Sequence, residues 1–283
     1  MLTYEKQVDQ LILNALEEDI GDGDHSTLSC IPANAKGTAV LKIKEDGILA
    51  GIDVAKRVFE LRDPSAVFTN AMVDGQIIQN GEIAFEVQSF MQTILNVERV
   101  VLNIMQRMSG IATLTAKYAD KLSGYKTKLL DTRKTTPNFR VLEKEAVRIG
   151  GGFNHRMGLY DMIMLKDNHI DFAGGIKNAI EMAHAYVQQN QLGLKIEIET
   201  RNIEEVQIVM QTGKVDRIML DNFDISSLRE ALRMIQGRFE TEASGGINLD
   251  NIRHFADTGV DFISAGALIH QARSLDLSLK ARA

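Results

Sequence analysis

Cysteine is almost missing from this 283-residue chain: Cys30 stands alone, so no intrachain disulfide can form. Three prolines and no low-complexity tract exclude a disordered chain. No window reaches the roughly 18 uninterrupted apolar residues of a membrane-spanning helix. The opening run Met1-Leu2-Thr3-Tyr4-Glu5-Lys6 lacks the basic stretch and apolar core of a signal peptide. Positive charge is not in excess either. With 32 Lys plus Arg against 38 Asp plus Glu the net charge is −6, so bulk attraction to nucleic acid is excluded and any polyanion contact must be local. These absences predict a cytoplasmic globular protein without nucleic-acid or membrane partners.

What is present is enough apolar residue, 45%, for a packed core, and a length that suits one large or two ordinary domains. An amphipathic stretch (Val8, Leu11, Ile12, Ala15, Leu16) breaks at Gly21-Asp22-Gly23-Asp24, an acidic turn without the Gly and terminal Glu of an EF-hand loop. Short β-type runs follow at Gly37–Ile43, Gly47–Ala50, Ala66–Val73 and Glu82–Val87, with a helix over Asp53–Leu61. Residues 94–122 read as helical, with Ile94, Leu95, Val97, Val101, Ile104, Met105 and Met108 as the buried stripe and a break at Ser109-Gly110.

After Gly124 the pattern becomes rhythmic. Apolar strands start near 128, 161, 195, 217, 239 and 261, with helical stretches such as Ile176–Gln189, Ile203–Gln211 and Leu228–Ile235 between them. Six or seven such strands predict an incomplete (β/α) barrel; a doubly wound sheet is the second choice, since no Gly-x-Gly-x-x-Gly follows the first strand.

Each strand ends in residues a core would not choose: Asp131-Thr132-Arg133-Lys134, Lys166-Asp167-Asn168-His169, Glu199, Asp221-Asn222, Ser244-Gly245-Gly246 and Ser264-Ala265-Gly266. In parallel barrels the C-terminal rim carries the chemistry, because the following loops and helix N-termini all point there. Within Lys195-Ile196-Glu197-Ile198-Glu199 both carboxylates share one face; Glu197 reads as buried and paired, and Glu199 as the functional residue nearer the rim. Ser244-Gly245-Gly246, and Gly266 before Ala267-Leu268-Ile269-His270, offer unhindered backbone N–H groups for a terminal phosphate. Arg133, Lys134, Arg156 and Lys166, with His155 and His169, gather cations at the same mouth, which implies a small ligand with several carboxylates as well as phosphate. Glu199 and Asp221 could hold sugar hydroxyls, a magnesium ion or developing positive charge. His25, His184 and His254 read as solvated or structural, and Cys30 as packing.

Several strings carry a more specific signal: Glu18-Asp19-Ile20-Gly21, Glu98-Arg99, Ser109-Gly110-Ile111-Ala112-Thr113, Asp131-Thr132-Arg133-Lys134-Thr135-Thr136-Pro137, Gly150-Gly151-Gly152, Asn154-His155-Arg156, Gly158-Leu159-Tyr160-Asp161, Lys166-Asp167-Asn168-His169, Leu220-Asp221-Asn222 and Ala243-Ser244-Gly245-Gly246-Ile247. Through them the chain resembles the quinolinate phosphoribosyltransferase family (carboxylating nicotinate-nucleotide pyrophosphorylases) over nearly its whole length.

The resemblance implies an N-terminal α+β domain over residues 1–110, joined by the C-terminal segment 272–283, and an incomplete α/β barrel over 111–271. It implies a homodimer at least, and a pentosyl transfer: quinolinate plus 5-phosphoribosyl 1-diphosphate gives nicotinate mononucleotide, diphosphate and CO2, with magnesium, in de novo NAD biosynthesis. By position, Arg133, His155 and Arg156 would grip the quinolinate carboxylates, with Arg99 reaching in from the partner subunit. Lys134 and Lys166 would serve both substrates. Glu199 and Asp221 would hold ribose hydroxyls and the magnesium environment. Ser244, Gly245, Gly246, Gly266 and His270 would cradle the 5-phosphate. Lys134, Lys166, Glu199 and Asp221 form the expected catalytic set.

Departures lie beside the motifs: Asn138-Phe139 stands where the family often has Gly-Leu, Glu145 replaces a frequent Tyr, and Lys214-Val215 fits a lengthened turn. Two rival readings differ in chemistry. A paralogue of the same fold, a molybdenum-associated protein or another phosphoribosyltransferase, would keep the phosphate cradle but alter the carboxylate grip, which Arg99, Arg133, His155 and Arg156 together argue against. A Schiff-base lyase would use Lys166 as nucleophile.

Overall fold

The computed structural model describes residues 3–282; Met1 and Leu2 of the opening run and Ala283 of the C-terminal segment lie outside the described residues. Its strands are β1 (Lys36–Ile43), β2 (Gly47–Ile48), β3 (Val67–Thr69), β4 (Ile77–Ile78), β5 (Ile83–Phe90), β6 (Lys128–Leu130), β7 (Ile163–Leu165), β8 (Ile196–Thr200), β9 (Arg217–Asp221), β10 (Glu240–Ser244), β11 (Phe262–Ser264) and β12 (Leu277–Arg282). The chain forms two compact units. One holds the residues up to Ala116, Thr135–Gly151 and the chain from Leu268 on; the other holds Lys117–Lys134 and Gly152–Ala267. Relative to a division at Gly110 and Ala272, the first unit therefore also takes in 111–116, 135–151 and 268–271.

In the first unit an antiparallel sheet has the order β12-β1-β5-β3. The helix Tyr4–Ile20 buries Val8, Ile12 and Leu16 at helical spacing; Thr3 caps it, and Gly21 (φ +54°) ends it. Asp24 of the acidic turn caps the next helix, accepting from Thr27 N at 3.0 Å, and also accepts from Asn96 Nδ2 at 2.9 Å. The packing expected of Cys30 is not found: it is exposed, its thiol 3.3 Å from Ser26 O.

The expected break at Ser109-Gly110 is also absent, because the helix runs unbroken from Met91 to Lys121. Ser109 is buried and bonds Ala50, accepting from its N–H at 3.0 Å and donating to its carbonyl at 3.2 Å. A Cβ on Gly110 would strike the Arg273 carbonyl, so this glycine serves close backbone approach within a helix. One turn earlier, Arg107 donates to buried Glu143 at 2.8 Å and to the carbonyls of Ile269 and Ala272 at 2.9 and 2.6 Å. Glu143 in turn accepts from Thr136 N at 2.8 Å, which fastens the Thr135-Thr136-Pro137 loop and explains why 135–151 belongs with this unit. Asn138 in that loop has φ +62°, a conformation glycine takes freely and Asn tolerates.

The second unit is a six-stranded parallel sheet, order β6-β11-β10-β9-β8-β7. Consecutive strands are neighbours and the first pairs with the last, which is the connectivity of a barrel opened between β6 and β7. On that open side Phe153 makes a parallel bridge to Leu130 of β6. Helices Ile176–Gln189, Ile203–Thr212 and Ile225–Ile235 follow β7, β8 and β9, the last two capped by Asn202 and Asp224. Their buried stripes, Val206 and Val209 then Leu228, Ala231 and Ile235, complement Ile196, Ile198, Ile218 and Leu220 in the strands' apolar face. No helix among the described residues is long and apolar enough to cross a membrane.

Candidate active site

The other face of the same strands is polar, and its rim begins with Asp131 after β6. Asp131 is fully buried; its two oxygens accept from His155 N at 2.8 Å and Asn154 Nδ2 at 2.6 Å. The strand end thus fastens the Asn154-His155-Arg156 segment, and two residues on it presents half-buried Arg133 and exposed Lys134. Arg156 donates from Nη1 to Met162 O at 3.2 Å. Burial, and then the positive charge of Arg133, lower the Arg156 pKa below the ordinary guanidinium value. Two like charges held near one another in a half-buried position make a site for a multiply charged anion.

Lys166 follows β7. Its Nζ lies 3.3 Å from Glu199 Oε2, and its N–H donates to His169 Nδ1 at 3.0 Å, so His169 shapes the start of the short helix Asp167–Phe172. On the neighbouring strands Asp221 stands in register with Ser244. Asn222 (φ +57°) donates its N–H to Ser244 O at 2.8 Å and its side-chain amide to Asp221 Oδ2 at 2.6 Å. Gly245 (φ +94°) packs so closely on Asn222 that a Cβ would collide with its amide oxygen. This turn has room only for glycine at 245, while Gly246 (φ +64°) has open space around it. Gly266 follows β11, the strand beside β10.

Glu199 and Asp221, half-buried at the ends of adjacent strands, are hard oxygen donors. Two carboxylates are what a magnesium ion takes from protein when substrate phosphates supply the remaining ligands, so the pair fits that ion.

Beneath the rim the strand interior is ionic rather than aliphatic. Arg217 Nη1 lies 2.9 Å from Glu242 Oε2 and 3.9 Å from Glu197 Oε2, and both carboxylates are completely buried. His155 Nε2 lies 3.0 Å from Glu197 and 3.5 Å from Glu242, while its Nδ1 accepts from Arg156 N at 2.7 Å. Burial, then the Glu242 charge, raise the pKa of Glu197; burial works the same way on Glu242, but His155, Ser264 and Arg217 outweigh it and lower that pKa. For His155, burial lowers and the two carboxylates raise the pKa, which comes to about 9. The Arg156 N–H opposes that charge, because a doubly protonated ring has no lone pair to accept it. The 2.7 Å contact at Nδ1 requires a lone pair there and so favours the singly protonated ring, against the pull of the two carboxylates.

Of the residues expected from sequence, the second unit holds Arg133, Lys134, His155, Arg156, Lys166, Glu199, Asp221, Ser244, Gly245, Gly246 and Gly266; Arg99 and His270, both exposed, belong to the first. Sequence reasoning singled out neither Arg217 nor Glu242. A partial signal lay in Glu240-Thr241-Glu242, where a carboxylate recurs on one face of the strand, and in Arg217, a charge at the head of the apolar run Ile218-Met219-Leu220.

Comparison with known proteins gives a consistent picture. The profile described as "Quinolinate phosphoribosyl transferase, C-terminal domain" matches residues 111–280, and its N-terminal counterpart matches 24–109. The rice "Nicotinate-nucleotide pyrophosphorylase [carboxylating], chloroplastic" is 44% identical over 94% of this chain and 75% of its own length. The "Probable nicotinate-nucleotide pyrophosphorylase [carboxylating]" of a Synechocystis species is 41% identical over 96% of this chain and 92% of its own. The crystal structure of NadC from Streptococcus pyogenes superposes with a TM-score of 0.91 at 39% identity, covering 100% of this chain and 99% of that one.

Proposed function

The chain belongs to the quinolinate phosphoribosyltransferase family, and from that premise we propose that it transfers the phosphoribosyl group of 5-phosphoribosyl 1-diphosphate to quinolinate with loss of CO2, giving nicotinate mononucleotide and diphosphate for NAD biosynthesis. The observation that carries this reading is the placement of two guanidinium groups, Arg133 and Arg156, both half-buried at one mouth beside His155, the residue types that bind carboxylates.

In this reading Arg133 and Arg156, with His155 behind them, hold the two carboxylates and aim the pyridine nitrogen at the anomeric carbon. Ser244 and the backbone N–H groups of Gly245, Gly246 and Gly266 take the 5-phosphate. The nitrogen forms a bond to that carbon as the diphosphate departs with the electrons of the broken C–O bond. Glu199 and Asp221 face the positive charge that develops on the ribose, while Lys134 and Lys166 neutralise substrate oxygens. The resulting pyridinium accepts the electron pair of the adjacent C–C bond as CO2 leaves, and the ring carbon then takes a proton. Glu199 and Asp221 would also hold magnesium, which when bound neutralises diphosphate charge.

A homodimer is part of the proposal, with Arg99 of each subunit completing its partner's carboxylate grip. So is a cytoplasmic address, which suits the single exposed Cys30. The test is an assay of CO2 and diphosphate with quinolinate, phosphoribosyl diphosphate and magnesium. Release of both in a one-to-one ratio is expected; diphosphate without CO2, or neither, would reject the reaction.

A further inference from the structure

Of the ionic interior of the strand ring only His155 has a part in the chemistry just described, and such an interior is unusual, since parallel barrels of this kind are normally filled by layers of branched apolar side chains. Three of its members, His155, Glu197 and Glu242, bring ligand atoms within 4.8 Å of one another, the spacing of a metal site. The guanidinium of Arg217 argues against that use. At 2.9 Å from Glu242 and 3.9 Å from Glu197 it already supplies the cation that the two carboxylates require.

The network is aimed upward. Glu242 also bonds Ser264 at the end of β11, but it is His155 that joins the carboxylates to the carboxylate pocket: Nε2 faces them, and Nδ1 receives the N–H of Arg156 at 2.7 Å. The backbone on the other side of the ring is fixed as well, His155 N donating to Asp131 at 2.8 Å. Removing a carboxylate would free the ring to rotate, withdraw the acceptor from the Arg156 N–H and loosen the guanidinium that stands near Arg133. A displacement of that order is costly in a site that works by positioning.

We propose that Glu197 and Glu242, with Arg217 between them, are positioning residues for the carboxylate pocket: through the His155 ring they fix the backbone at Arg156 and thereby orient its guanidinium toward the pyridine acid. The inference rests on the quinolinate reading and concerns the pyridine substrate alone. The phosphoribosyl donor, held at the ends of β8 to β11, is left outside its reach.

The experiment is a double-mutant cycle read in steady-state kinetics with both substrates varied. Glu242→Gln and Glu197→Gln each raise the quinolinate KM about tenfold or more and leave the phosphoribosyl diphosphate KM within about twofold. In a His155→Gln background the same substitutions add less than about twofold, because the ring through which they act is gone. Should a single substitution prevent folding, Arg217→Met combined with Glu242→Gln removes one charge of each sign and leaves the net charge of the interior unchanged. It too raises the quinolinate KM alone. Additive losses in the His155→Gln background, equal changes in both KM values, or an unchanged quinolinate KM in folded variants would overturn the proposal. So would a metal bound one per subunit in the purified wild type and lost with Glu242→Gln. A wild type that turns over no quinolinate refutes the function reading itself, so the two failures are distinguishable.

Discussion

Arg217 and Glu242 form an ion pair at 2.9 Å inside the ring of parallel strands, with side chains 9% and 0% exposed. Such a pair gains little over an apolar substitute, but breaking it strands a buried charge. Arg217→Ala is therefore expected to destabilise the protein by about 3–5 kcal/mol, read as a lower midpoint in urea, whereas Arg217→Met with Glu242→Gln recovers most of that loss. Equal destabilisation by both variants would show that charge balance is not what the pair provides.

The turn after β10 makes a second prediction. Gly245 combines φ +94° with a close approach to Asn222, whereas Gly124 has φ +87° and open space around it. Gly245→Ala is expected to raise the phosphoribosyl diphosphate KM about tenfold, the effect of roughly 1.4 kcal/mol, while Gly124→Ala leaves it unchanged. Matching effects in the two variants would remove the turn from the phosphate site.

Acid stability should depend on Asp63. Burial alone would raise its pKa, but Ser65 donates to it from N at 2.9 Å and from its hydroxyl at 2.6 Å, and with Ser89 and Phe90 this brings the value down to about 2. A carboxylate held below its unfolded value of 3.8 stabilises the fold above that pH, and the contribution is lost as pH falls toward 2. Unfolding midpoints measured between pH 5 and 2 should drop less steeply in Asp63→Asn, which starts lower and lacks this titration. Parallel curves would contradict the assignment.

The shared site is tested by mixing subunits. Arg99→Ala and Arg133→Ala proteins are each expected to be inactive and folded. In a one-to-one mixture that exchanges subunits, half of the dimers carry one intact site of two, so activity should return to about a quarter of wild type. No recovery after demonstrated exchange would show that Arg99 does not act across an interface.

The rim was legible because charge at a strand end is a local pattern: Asp131, Lys166 and Asp221 each follow a short apolar run, and Glu199 follows Ile196-Glu197-Ile198. All six parallel strands begin within two residues of their expected positions, since apolar runs alternating with helical stretches leave few other folds open. Less was visible where meaning depends on what lies across the fold. Ser109-Gly110 reads locally as a break, and only the approach of Arg273 and the Ala50 hydrogen bonds explain an unbroken helix. Cys30, apolar by habit, is exposed on a six-residue helix. Glu197 and Glu242 look like ordinary strand glutamates until Arg217 and His155 are seen between them. Alternation marks which face such residues share, but not which partner lies across the fold from them.

The central claim is that the Arg133 and Arg156 mouth requires a dicarboxylate, and it is tested most directly by the ratio of kcat/KM for quinolinate to that for nicotinate, each with phosphoribosyl diphosphate and magnesium. A site built to bond both carboxylates leaves buried donors unpaired when one is missing, so quinolinate should be preferred on the order of a thousandfold or more. Comparable values for the two acids would contradict the account.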